Sequence, residues 1–160
     1  MNYFGLKPSE ANFIEPRKKP LSSMAPMLVF KKNEEIDSMG DLFLVIGASG
    51  GPKIITSVVQ VFINHALLGM SLFEAMSHPR VHDQLLYHGS DVTCFESVDL
   101  EGGGPHIEVS NRTKAALTKR DHQLLSIDYT GVIQAVSVDL ETQTMSAVSD
   151  IRKAGVPAGF

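Results

Sequence analysis

The residues whose types and spacing best suit chemistry are Gly47-Ala48-Ser49-Gly50-Gly51-Pro52, between the apolar run Leu42–Ile46 and a segment with helical periodicity. Glycine lets a backbone approach a ligand closely and adopt φ values that other residues avoid. A helix that starts directly after such a turn adds unpaired N–H groups and the positive end of its dipole. Together these suit an anion, or the oxyanion of an acyl-transfer intermediate. A tight strand-to-helix turn with no ligand would use the same residues. Two nucleotide patterns fail here. Counted from Gly47, Pro52 stands where a phosphate loop GxxxxGK[ST] needs its second glycine, and Ile54 follows Lys53; Gly47-Ala48-Ser49 breaks the first step of GxGxxG.

Two other segments carry reactive or hydrogen-bonding side chains. In Leu21-Ser22-Ser23-Met24, adjacent hydroxyls can donate to a carboxylate, although a polar turn is the ordinary role of such a pair. In His78-Pro79-Arg80-Val81-His82-Asp83-Gln84, the His and Asp spacing matches no closed zinc pattern, and a structural turn with an Arg ion pair is expected. No GxSxG elbow is present for a hydrolase serine. The single cysteine, Cys94, reads as a small apolar residue.

The elements that must position these residues follow from the pattern. Met27–Phe30 and Leu42–Ile46 read as strands, joined by the polar stretch Lys31–Asp41. A helix is expected over roughly Lys53–Leu68. Pro52 suits its start and Gly69 its stop; Ile54, Ile55, Val58, Val59 and Phe62 share a broad apolar face, with Ser57, Gln60 and Asn64 on the polar one. Ser71-Leu72-Phe73-Glu74 has the form of a capping box, and the short helix it opens should end before Pro79. Val92–Phe95 is strand-like, Gly102-Gly103-Gly104-Pro105 is a break, and Asn111–Arg120 is helical with Asn111 as cap. Val132–Val138 and Met145–Val148 form a hairpin, and the tail Asp150–Phe160 is irregular. The 160 residues fit a single domain, 1–160, of layered α/β (α+β) class, with residues 1–20 as an extended loop segment. A net charge of -4 argues against a general nucleic-acid binder, which needs a basic face.

Read together and in order, the segments resemble one family. NYFGLKPSEANFIEPRKKPLSSMAPM is similar to the stretch that leads to the Pro-Leu-Ser-Ser-Met motif of γ-glutamyltransferases (glutathione hydrolases). LVIGASGGPKIITSVVQVFINHALLGMSLFEAMSHPRVHDQ resembles their Gly-Gly oxyanion loop, the helix after it and a Pro-Arg-x-His segment. VSDIRKAGVPAGF resembles their closing segment, with Phe160 in place of a terminal tyrosine and, further back, His78 in place of a small residue. The matches cover nearly the whole chain and fall in the C-terminal part of the family's small subunit.

The resemblance implies a partial αββα sandwich of the N-terminal-nucleophile hydrolase type. In such enzymes the precursor cleaves itself and exposes a threonine, whose α-amino group titrates near neutrality and acts as base. The γ-glutamyl group of glutathione passes through a covalent threonyl ester to water or to an amino-acid or peptide acceptor, with no cofactor and no metal. By position, Gly50 and Gly51 match the oxyanion pair, and Ser22 and Ser23 match the pair that binds the substrate α-carboxylate. The segments around Arg80 and Asp150–Arg152 match motifs read as structural. The expected Thr-Thr-His segment and the acidic stretch after it are absent: no threonine precedes Thr56. The chain is therefore expected to be inactive alone, to need the large subunit of the same precursor, and to expose an open sheet edge that promotes self-association. The alternative is a non-catalytic remnant that binds γ-glutamyl compounds or a partner subunit. By resemblance the location is the outer face of the plasma membrane, a vacuole or the exterior; the sequon Asn111-Arg112-Thr113 fits an outward face.

Overall fold

Alternating burial along Asp41–Ser49 and Val132–Val138 makes these the central strands of the molecule. The computed structural model describes residues 7–21, 24–32, 39–100 and 103–159. Its first sheet has the order β1-β2-β7-β8, with β1 Met27–Lys31, β2 Asp41–Ser49, β7 Val132–Val138 and β8 Met145–Ser149. All its pairings are antiparallel, with Met27 opposite Ile46, Ile46 opposite Ala135, and Ala135 opposite Val148.

One face of this sheet is covered by two helices. Helix α1, Lys53–Phe62, turns Ile54, Ser57, Val58 and Val61 inward, and α2, Leu72–Ser77, adds Leu72, Ala75 and Met76. These meet Leu44, Ile46, Ile133 and Ala135 in one core. Each fully buried Leu, Ile or Met side chain is worth about 1.5–3 kcal/mol. Helix α1 continues into a wider π turn, Ile63–Leu67, where the Leu68 N–H donates to Ile63 O at 3.0 Å. Gly69, at φ +73, then reverses the chain.

The second sheet is built on β4, Thr93–Asp99. The strands β3 (Val81–His82) and β5 (His106–Glu108) pair with it antiparallel, and β6 (Leu124–Ile127) pairs with it parallel. Helix α3, Asn111–Thr118, precedes β6. Among the described residues no helix is long and apolar enough to cross a membrane.

Several expectations hold and several need correction. The capping box at Ser71–Glu74 is complete, and His78 is extended before Pro79. Strand β2 runs on through Gly47, Ala48 and Ser49, because these pair with Gln134, Ile133 and Val132 of β7; the glycine loop is correspondingly shorter. Ser57 belongs to the buried face of α1, while Ile55 (59% exposed) and Val59 (42%) face outward. Ser110, not Asn111, caps α3, accepting the Thr113 N–H at 3.1 Å. The short strands β3, β5 and β6 are not visible in the residue pattern, since distant partners create them.

Candidate active site

Strand β2 ends at Ser49 and delivers Gly50 and Gly51 into a turn that opens directly onto α1. Gly50 has φ +140 and Gly51 φ +61, both in the region that favours glycine. The turn is closed by Lys53 N–H to Gly50 O at 3.3 Å and Ile54 N–H to Gly51 O at 3.2 Å. These bonds use the glycine carbonyls, and among the described residues neither the Gly50 nor the Gly51 N–H finds an acceptor. Two adjacent amides are thus left available at the N-terminus of a helix, an arrangement that suits a developing negative charge. Beside the turn runs an open groove of about 420 Å³, lined by Gly47, Ala48 and Ser49, by Val132 and Gln134, and by Lys153.

Ser22 and Ser23 lie outside the described residues, as does Phe160. The described chain fixes one relevant fact. Strand β1 begins at Met27 opposite Ile46, while β2 continues from Ile46 to Ser49. The entry to β1 and the exit from β2 therefore share one end of the sheet.

The turn is backed by Thr130 and Gly131, just before β7. A Cβ placed on Gly50 would lie 3.1 Å from Gly131 Cα and 3.2 Å from Thr130 O. Ser57 of α1 donates to Thr130 Oγ1 at 3.2 Å.

Behind Thr130 stands a buried cluster of two arginines and two carboxylates, which balance in charge. The Arg152 guanidinium grips Glu96 in a fork, Nε to Oε1 at 2.9 Å and Nη2 to Oε2 at 2.6 Å. Arg80 donates to Asp150 Oδ2 at 2.8 Å, and Arg152 Nη1 donates to Asp150 Oδ1 at 3.0 Å. The arginines also cap the end of α2: Met76 O accepts from both, at 2.6 and 2.9 Å. Burial raises the Asp150 carboxyl pKa, but Arg80 and Arg152 outweigh it and hold the group below its ordinary range. Burial pushes the Arg80 guanidinium down and Arg152 adds to this. Removing one partner from such a cluster leaves an uncompensated buried charge, at a cost of about 3–5 kcal/mol.

The sequence reading expected an Arg ion pair in His78–Gln84, and Arg80 makes it. The sequence does not reveal that Asp150 is its partner, that Arg152 and Glu96 complete the cluster, or that Thr130 and Gly131 stand between the cluster and the glycine turn. Glu96 offered one signal: an acid directly after the expected strand Val92–Phe95, which the structure extends to Asp99, so that the carboxylate is buried and must find cations. His82, 2% exposed, bonds to Thr56 Oγ1 at 2.8 Å and to Gln84 Oε1 at 2.9 Å. Cys94 is buried, and burial raises its thiol pKa. Among the described residues no group of three His, Cys, Asp or Glu could hold a metal ion.

Comparison with known proteins bears on this geometry. The family model described as Gamma-glutamyltranspeptidase matches residues 1–160. The chain belongs to the gamma-glutamyltranspeptidase family. Its sequence is 31% identical to glutathione hydrolase 3 of Arabidopsis thaliana, over 96% of this chain and 26% of that protein. It is 30% identical to the glutathione hydrolase proenzyme of Bacillus subtilis, over 98% of this chain and 23% of that protein. The chain therefore spans about a quarter of the length of these curated relatives. Among solved structures, a mutant of Helicobacter pylori gamma-glutamyltranspeptidase superposes with a TM-score of 0.70 at 36% identity, over 95% of this chain and 73% of that one. A highly active mutant of the Pseudomonas nitroreducens gamma-glutamyltranspeptidase gives 0.71 at 32% identity, over 99% and 73%. The α+β fold, with helices layered on an antiparallel sheet, is the fold of these gamma-glutamyltranspeptidase chains.

Proposed function

We propose that these residues form the oxyanion and carboxylate-binding part of a glutathione hydrolase site. The observation that carries the reading is the Gly50–Gly51 turn: two adjacent amides without an acceptor among the described residues, at a helix start, in a family member. In this reading a threonine attacks the γ-glutamyl amide carbonyl, and its hydroxyl proton passes to the threonine's own α-amino group. The oxygen of the tetrahedral intermediate takes hydrogen bonds from the Gly50 and Gly51 N–H groups. Collapse expels the leaving amine with that proton and leaves a γ-glutamyl ester. Water or an amino-acid acceptor then cleaves the ester by the same steps.

Ser22 and Ser23 hold the α-carboxylate of the γ-glutamyl group. Their place in the sequence, just ahead of β1, supports this, because β1 starts at the end of the sheet where β2 delivers the glycines. The nucleophile of this reading is not among the 160 residues: the first threonine, Thr56, lies within α1 with its hydroxyl bonded to Lys53 O and His82. The relatives named as proenzymes support a large-subunit partner. The outward apolar residues Ile55, Val59 and Leu67 give that partner a surface.

A chimera tests the reading. These 160 residues replace the matching quarter of the Bacillus subtilis proenzyme, and release of nitroaniline from γ-glutamyl-p-nitroanilide is followed. Turnover by the chimera and none by the isolated chain is the expected result. A chimera that self-cleaves into two subunits but releases no product contradicts it.

A further inference from the structure

Nothing in the reaction proposed above uses the buried charge cluster, yet the cluster converges on the wall behind the glycine turn. We propose that Arg80, Glu96, Asp150 and Arg152 act together as positioning residues for the Gly50–Gly51 turn, through Thr130 and Gly131. The catalytic meaning of this inference rests on the reading of that turn as the oxyanion site; the mechanical part does not.

Contact between wall and turn is close on both sides of Gly131. A Cβ there would lie 2.9 Å from Ser57 Oγ and 3.1 Å from Ser49 O. Gly131 is thus wedged between the residue that precedes the turn and the helix that follows it. No methyl group fits between the wall and these neighbours, so a shift of the wall is expected to be passed on to Ser49 and Gly50.

Besides the β2–β7 ladder and the Ser57 hydroxyl, the wall is held by the cluster. Thr130 donates to Glu96 Oε1 through its N–H at 2.8 Å and its hydroxyl at 3.1 Å. Gly131 O accepts from Arg80 Nη1 at 2.9 Å. Ile133 N–H donates to Asp150 Oδ2 at 2.9 Å. The fourth member, Arg152, joins the two carboxylates by donating to both. The segment 130–133 is therefore pinned by charged groups from three separate places: the chain after α2, strand β4 and the chain after β8.

The choice of ions over apolar side chains is itself informative. A buried ion pair is often no more stabilising than well-packed apolar residues of the same volume. Charge-assisted hydrogen bonds differ in fixing direction as well as distance. An oxyanion site needs that direction, because donors must already point where charge will develop.

The test uses Thr130→Val, which keeps the volume and loses the hydroxyl, with Thr130→Ser as the conservative control. In the isolated chain, amide exchange is read at Lys53 and Ile54, whose N–H groups close the turn. Thr130→Val is expected to speed these amides by about tenfold, while those of the β1–β2 pair keep their rates and Thr130→Ser matches wild type. Unchanged rates at Lys53 and Ile54, or equal acceleration across both regions, would overturn the inference. Should Thr130→Val lose its fold, Arg80→Lys takes its place, since it keeps the charge but cannot reach Gly131 O and Asp150 together. In the chimera, Thr130→Val is expected to lower kcat by about tenfold with KM within about twofold. An equal loss of folded enzyme and activity, with kcat per active site unchanged, would also count against the inference. If the wild-type chimera self-cleaves but shows no turnover while the exchange pattern appears as expected, the oxyanion reading fails and the mechanical coupling stands.

Discussion

Gly47 and Gly50 belong to one short run, yet an added methyl group meets different surroundings at each. At Gly47 the new Cβ finds nothing within 4 Å. At Gly50 it meets Gly131 Cα at 3.1 Å and Thr130 O at 3.2 Å, on a residue whose φ of +140 disfavours any side chain. Gly50→Ala is therefore expected to destabilise the chain by about 1–3 kcal/mol in urea unfolding. Gly47→Ala should stay within about 0.5 kcal/mol of wild type. Equal effects at both positions would contradict the account of the turn.

At the scale of elements, α2 shows how a six-residue helix survives although isolated short helices are marginal in water. Its first turn is tied by the reciprocal Ser71–Glu74 box, and the Met76 carbonyl in its last turn accepts from two guanidiniums. Ser71→Ala is expected to cost about 1 kcal/mol, a fall in Tm of roughly 2–4 °C in a scanning measurement. This helix and the α1 boundary near Lys53 were legible in the sequence, because caps, prolines and glycines act locally. So was the β7–β8 hairpin. What escaped is set by distant partners: the extension of β2 through Ser49 by β7, and the strands β3 and β6 that exist only against β4. The candidate site divides in the same way. Gly50 and Gly51 announce themselves by type and by family motif. Their support does not, because Glu96 and Thr130 are brought together only by the fold.

For the whole molecule, the buried cluster ties stability to pH. The Asp150 carboxyl has a folded pKa below its ordinary value of 3.8. Such a group contributes stability that is complete above its unfolded pKa and is lost as pH falls through the folded one. Unfolding midpoints in urea should thus drop progressively below about pH 4, and less steeply in Asp150→Asn. Stability that holds unchanged down to about pH 3 would contradict this assignment. The larger claim is that glycine amides and serine hydroxyls grip opposite ends of one γ-glutamyl group. Steady-state kinetics of the chimera separates the two ends. Ser22→Ala with Ser23→Ala is expected to act mainly on KM, as a loss of ground-state binding, whereas Gly50→Ala keeps its amide but turns it from the oxyanion, because the new Cβ meets Gly131 and Thr130, and should lower kcat by up to about 10²–10³-fold with little change in KM. A loss of kcat from the serine pair with KM intact, or a Gly50→Ala enzyme that turns over at the wild-type rate, would contradict the account.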